Sequence, residues 1–223
     1  MSFQIAIDGP AGAGKSTVAK RVAKELGFVY VDTGAMYRAI GLDCVRKGID
    51  LDDEIKVVEN AETVKVSISY VDGTQAVILN GENVNGFIRT PEIGEAASKV
   101  SAYKRVREIL VDFQQKLTGT TNVVMDGRDI ASVVLPNAQA KIYLDASVEV
   151  RAKRRYDELI AKGESADLKS IEEDVKERDY RDMHRDNSPL VKVPEATLID
   201  SSYMTIDEVV NSIISEVKSR IDE

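Results

Sequence analysis

The apolar positions of this chain fall into short runs separated by stretches of helical spacing. Residues 3–7 form the first run, ending in Asp8-Gly9, and Val18, Ala19, Val22, Ala23 and Leu26 then recur on one helix face until Gly27 stops them. The pattern predicts strand, loop, helix. Further runs at 28–31, 123–125, 142–144 and 197–199, each apolar and β-branched or aromatic, predict four more strands. Helical patterns separate them. Such alternation predicts an α/β fold in three layers: a five-stranded parallel sheet with helices on both faces and the site at the strands' carboxyl ends. Near the C-terminus, Ile206, Val209, Val210, Ile213, Ile214, Val217 and Ile221 make one apolar stripe behind a Thr205/Glu208 capping box.

Two stretches depart from this alternation. Val64, Val66, Ile68 and Tyr70 alternate with Lys65, Ser67 and Ser69, and are followed by Asp72-Gly73, the run 76–79 and Asn80-Gly81. Both dipeptides favour tight hairpin turns, so a small antiparallel insertion is expected. From about 151 to 185 the helices are polar, with a Ser170/Glu173 capping box, and read as a mobile flap. With no internal repeat and no Pro/Ser-rich linker, the pattern describes one folding unit with two outgrowths.

Composition narrows the function classes. In 223 residues, 43% hydrophobic and 30% charged, there is enough apolar surface for a real core and no collagen-like or disordered signature. The net charge of -8 argues against a nucleic-acid coat or an anionic-membrane binder, since both rely on diffuse positive potential. Any polyanion must be met locally. The single cysteine, Cys44, forms no internal disulfide and sits on an apolar helical pattern, which favours a core position. No basic leader with an apolar stretch and no bilayer-length apolar run is visible, so a soluble, cytoplasmic protein is expected.

The strongest chemical signal is the run Gly9, Pro10, Ala11, Gly12, Ala13, Gly14, Lys15 and Ser16, followed by Thr17. It fits G-x-x-x-x-G-K-S/T between a strand and a helix, where backbone N–H groups converge on phosphate oxygens at a helix N-terminus. Lys15 is then placed to bridge the β and γ phosphates of ATP and Ser16 to help hold Mg²⁺. This loop alone leaves GTPase, ATPase, small-molecule kinase and sensor open, although the absence of an Asn-Lys-x-Asp sequence weighs against a GTPase. Late in the chain Arg178, Arg181 and Arg185 fall on one helical face, either as a polyphosphate clamp or as a solvated strip paired with Glu177, Asp179 and Asp182. Asp126, after the third strand, suits a metal-holding acid or a turn former; Asp32 suits a group orienting a phosphate or a magnesium-bound water, or a cap. Tyr37 and Arg38 follow Gly34 in what reads as a loop at a strand's carboxyl end, where Tyr37 suits a pocket wall or the core.

Taken with Asp32-Thr33-Gly34-Ala35-Met36-Tyr37-Arg38, Ile88-Arg89-Thr90, Val106-Arg107-Glu108, Asp126-Gly127-Arg128-Asp129 and Lys176-Glu177-Arg178-Asp179 through Arg181-Asp182, the chain resembles the bacterial cytidylate kinases, within the nucleoside monophosphate kinase group of P-loop proteins. The likeness covers essentially the whole length. Ser16 stands where some members carry Gly, and His184 carries no role. The resemblance implies one kinase unit over 1–223, with a core of 1–38, 118–150 and 187–223, a monophosphate-binding insertion at 39–117 and a helical lid at 151–186. It implies transfer of the γ-phosphoryl group of ATP, with Mg²⁺, to CMP or dCMP by a monomer. The catalytic set it implies is Lys15, Asp32, Arg128, Arg178 and Arg181. Thr33, Tyr37, Arg38, Ser98, Arg107, Arg128, Asp129, Asp182 and Arg185 are the implied acceptor ligands. Of these, the resemblance implies that Ser98, Arg107 and Asp129 read the base, and their types match the acceptor that cytosine needs for its 4-amino group and the donors it needs for N3 and O2. A kinase of another small acceptor (UMP, AMP or shikimate) and a nucleotide-binding switch acting through the hairpin insertion are the competing readings.

Overall fold

The computed structural model describes residues 2–71, 74–119 and 121–221. In chain order its elements are β1 (Gln4–Asp8), α1 (Lys15–Leu26), β2 (Val29–Asp32), α2 (Thr33–Arg46), α3 (Glu54–Thr63), β3 (Val66–Val71), β4 (Thr74–Leu79), β5 (Glu82–Asn83), α4 (Pro91–Val100) and α5 (Lys104–Lys116). They continue with β6 (Val123–Gly127), a π-helical turn (Ile130–Val134), β7 (Ala140–Asp145), α6 (Val148–Ala161), α7 (Leu168–His184), β8 (Thr197–Asp200) and α8 (Ile206–Ile221). The chain divides into two compact units: Met1–Tyr30 with Thr120–Glu223, and Val31–Gly119.

The first unit is built on the parallel sheet. Among the described residues the strand order is β2-β6-β1-β7-β8, with β1 parallel to β6 and β7, and β7 parallel to β8. Central β1 is buried from Ile5 to Asp8, as expected of a parallel strand with no solvated face. Ile5, Ile7, Val124 and Ile142 pack against Val18, Ala19 and Val22 of α1 and Val209, Ile213 and Val217 of α8. The same apolar stripe that predicts α8 therefore closes one face of the sheet. Its capping box forms as expected: Glu208 accepts from the Thr205 backbone N–H at 2.8 Å, and Thr205 Oγ1 accepts from the Glu208 backbone N–H at 3.3 Å.

The second unit holds a three-stranded antiparallel sheet, order β3-β4-β5, and helices α2 to α5. Asn80 and Gly81 join β4 to β5 as a two-residue hairpin, both in left-handed conformation. The other expected turn, Asp72-Gly73, lies outside the described residues. Ala35, Ala39 and Leu42 of α2 pack on Val77 and Leu79 of β4 with Val84, Ile88 and Ile93.

Three local expectations change. The α7 helix starts at Leu168, because the Asp167 carboxylate accepts the Ser170 backbone N–H at 2.8 Å; Ser170 is inside the first turn, so Ser170/Glu173 is not its cap. Arg185 follows the last turn of α7 with extended backbone, so Arg178, Arg181 and Arg185 do not continue one helical face. Tyr37 and Arg38 lie within α2 rather than in a loop, since Asp32 caps that helix and starts it at Thr33.

Candidate functional site

The phosphate-type loop joins β1 to α1. Gly14 adopts a left-handed conformation before Lys15, and no side chain caps the first turn of α1, which leaves its N–H groups directed at the loop. Lys15 is buried and folds back, its Nζ donating to the Pro10 carbonyl at 2.7 Å. Burial holds its amine well below the ordinary lysine range; the charge of Arg128 adds to this, and Asp126, Asp182 and Asp8 oppose it. Ser16 donates to Asp126 Oδ2 at 2.8 Å, and the Tyr30 hydroxyl donates to Asp126 Oδ1 at 2.8 Å. Two hard oxygen donors, a hydroxyl and a carboxylate, thus meet at the first turn of α1. They suit Mg²⁺, which takes one or two protein oxygens when it shares a site with nucleotide phosphates.

Beyond β6, Arg128 is partly buried and its Nε donates to Asp182 Oδ2 at 2.8 Å. Arg185 lies at 3.9 Å from the other Asp182 oxygen, and its Nε and Nη2 donate to the Ser188 carbonyl. Burial disfavours the charged form of Asp182, but Arg128, Arg178 and Arg185 outweigh it and hold the carboxyl below the usual range. Asp182 is thereby a junction of cations. Arg181 is exposed. Asp129 is buried and precedes the π-helical turn.

The second unit gathers the remaining candidates. Asp32 caps α2 through the Ala35 N–H at 3.0 Å, so the cap alternative describes it, and its other oxygen accepts from Arg89 Nη2 at 2.6 Å. Gln75 pins the Asp32 backbone from both sides, accepting its N–H at 2.8 Å and donating to its carbonyl at 3.2 Å. Arg38 donates to the Ile88 carbonyl at 3.1 Å and passes over Gly94, where a Cβ would lie 3.2 Å from its Nη1. Tyr37 is buried beneath the Arg107 guanidinium, 5.3 Å from the ring centre. Arg107 donates to the Ser101 carbonyl at 3.0 Å, and Ser101 Oγ donates to the Ser98 carbonyl at 2.8 Å. The turn between α4 and α5 therefore brings Ser98 and Arg107 together, while Asp129 belongs to the other unit. Thr33, the first residue of α2, is buried beside Asp32, and Cys44 is buried in that helix.

Several residues that shape the site escape sequence reasoning. Arg151, buried on α6, donates to the Ala11 carbonyl of the loop at 3.0 Å, to the Ala146 carbonyl at 2.8 Å and to Asp179 at 2.6 Å. Nothing in its local pattern marks it. Gln75 and Tyr30 likewise look like ordinary strand residues, and Arg89 is visible in a motif without its Asp32 partner.

A family model described as cytidylate kinase matches residues 5–219. A cytidylate kinase of Ligilactobacillus salivarius is 50% identical over 218 residues, covering 98% of this chain and 97% of that protein. One of Desulforamulus reducens is 50% identical over 214 residues, 96% of each chain. Among solved structures, a gluconokinase from Sinorhizobium meliloti 1021 aligns over 97% of this chain and 92% of its own with a TM-score of 0.52; at 12% identity that likeness shows the fold alone. Because the family match runs from the first strand of the sheet into the last helix, and half the residues are shared with relatives of the same length, the chain belongs to the cytidylate kinase family.

Proposed function

We propose that this chain transfers the γ-phosphoryl group of ATP to CMP or dCMP, giving ADP and CDP or dCDP. The observation that carries this reading is the 2.8 Å contact of Ser16 with Asp126 beside a phosphate-type loop, in a member of the cytidylate kinase family. Phosphoryl transfer asks a protein mainly to position two anions and neutralise charge on the migrating group. The residues 9–17 bind the phosphates of ATP through backbone N–H groups, and Lys15 exchanges its bond to Pro10 for the β and γ oxygens. Ser16 and Asp126 are the residues that would hold Mg²⁺, which, when bound, neutralises phosphate charge.

Arg128, Arg178, Arg181 and Arg185 supply planar donors suited to phosphoryl oxygens, with Asp182 holding Arg128 in place. Arg38 binds the acceptor's phosphate, which Asp32, paired with Arg89, helps to orient, with Thr33 and Tyr37 as further acceptor ligands. Ser98 and Arg107 read the cytosine ring, and Asp129 accepts from its 4-amino group. Residues 39–117 serve the acceptor and residues 151–186 act as a lid.

A coupled ADP-release assay across CMP, dCMP, UMP, AMP and GMP tests the reading. ADP formation should depend on CMP or dCMP, with at least about a tenfold advantage over UMP in kcat/KM, because uracil places a carbonyl against the Asp129 carboxylate. Tight ATP binding with negligible acceptor-dependent turnover would instead identify a nucleotide switch.

A further inference from the structure

Asp8 ends β1, is buried, and points its carboxylate at a segment more than a hundred residues away. Its Oδ1 accepts the Ile130 N–H at 2.8 Å and its Oδ2 accepts the Ala131 N–H at 2.7 Å. These are the first two amides of the π-helical turn Ile130–Val134, whose preceding residue is Asp129. A capping residue ordinarily satisfies such amides with its own side chain, and here Asp129 makes no capping hydrogen bond. Its carbonyl is also held, by the Val133 and Val134 N–H groups at 2.9 and 3.2 Å. A π-turn is a rare local winding that needs tertiary support. Asp8 supplies that support from the strand that leads directly into the phosphate-type loop.

We propose that Asp8 is the positioning residue for Asp129: by taking both leading amides of the turn, it sets the backbone from which the Asp129 carboxylate is presented to the base of the acceptor nucleotide. This rests on the reading of Asp129 as a base ligand. Asp8 touches no substrate in this role. It acts through Asp129, and it links the nucleotide loop to base selection by one side chain.

The charged and titratable groups acting on Asp8 are Asp129, Lys15 and, from β7, Tyr143. Burial raises the Asp8 carboxyl to about 6, with the Asp129 charge adding to the rise and the two amides and Lys15 opposing it. Its protonation therefore falls in an accessible pH range and offers a readout in the native protein.

The test compares Asp8→Asn with wild type at saturating ATP, using CMP and UMP. An Asn side chain keeps one acceptor and turns an NH₂ toward the second amide. The kcat/KM for CMP should fall about tenfold, mainly through KM, while the UMP value and the KM for ATP change by no more than about twofold, so that base preference narrows. Parallel losses with CMP and UMP would make Asp8 merely structural and overturn the proposal. Asp129→Ala, assayed alongside, separates the two levels: if it leaves the CMP:UMP ratio unchanged, the base reading fails and the Asp8 role with it. If Asp129→Ala narrows the ratio and Asp8→Asn does not, the Asp8 role alone fails. Should Asp8→Asn not fold, NMR on the native protein decides. The Ile130 and Ala131 amide resonances should follow the Asp8 carboxyl through its titration with a shared midpoint, and amides that ignore that titration would overturn the proposal.

Discussion

Arg151 and Asp179 form a buried ion pair at 2.6 Å that ties α6 to α7, while the same guanidinium holds the Ala11 carbonyl of the phosphate-type loop. The Arg151→Ala substitution leaves the Asp179 carboxylate buried without its cation. It should lower unfolding free energy by about 3–5 kcal/mol, far above the effect of an exposed pair. Urea denaturation measures this, and Arg151→Ala/Asp179→Ala should recover part of the loss. A cost below about 1 kcal/mol would mean that the pair does not hold the two helices together.

At Gly9 the constraint is steric. Its φ of +150° and the position of Leu144, whose carbonyl oxygen would lie 1.9 Å from an added Cβ, leave no room for any side chain. Gly9→Ala should therefore displace β7 from the loop and cost about 4 kcal/mol or more, seen as loss of cooperative thermal unfolding. Near-native stability would require a backbone different from the one described.

Lys15 presents the opposite balance. Its one described hydrogen bond is to the Pro10 carbonyl, and its amine is already depressed by burial. Lys15→Ala should leave stability within about 1 kcal/mol of wild type and, on the proposed function, lower kcat by about 10²-fold or more through loss of a charge assigned to the transferring phosphate. Comparing single-turnover rates with melting temperature separates the two effects.

Two arginines at the end of α7 should behave differently. Arg181 is exposed, so Arg181→Ala should reduce turnover with little change in melting temperature, and Arg181→Lys should restore activity only in part because the bidentate fork is lost. The Arg185 side chain is buried and bonded to the Ser188 carbonyl beside Asp182, so Arg185→Ala should lower both activity and stability. Equal melting temperatures for the two variants would contradict this division.

Acid should act through Asp182. Its carboxyl is held below the ordinary value of 3.8, so the charged form is favoured by folding: the stabilisation is fully present above that value and is lost as pH falls through the lower, folded value. Asp182→Asn should cost roughly 1.5–3 kcal/mol at neutral pH by weakening its bond to Arg128, and the gap between variant and wild type should shrink below about pH 4. Denaturation midpoints from pH 3 to 7 check the sign.

Features governed by neighbours a few residues apart are legible in the chain itself. The glycines and Lys15 of the loop, the Thr205/Glu208 box, the Asn80-Gly81 hairpin and the strand–helix alternation all follow from local sterics, capping and periodicity, and the sheet they imply is the one described. Local signals also mislead where two caps compete, as at α7, because the Asp167 carboxylate satisfies the leading amides before Ser170 is reached. The working parts of the site depend on long-range pairing. Ser16 meets Asp126 across 110 positions, Asp8 reaches Ile130 across 122, and Arg151 reaches Ala11 across 140. Such pairs form because a parallel sheet sets distant strand ends side by side, and burial then makes each polar group find a partner. Periodicity along the chain carries no record of which partner that is.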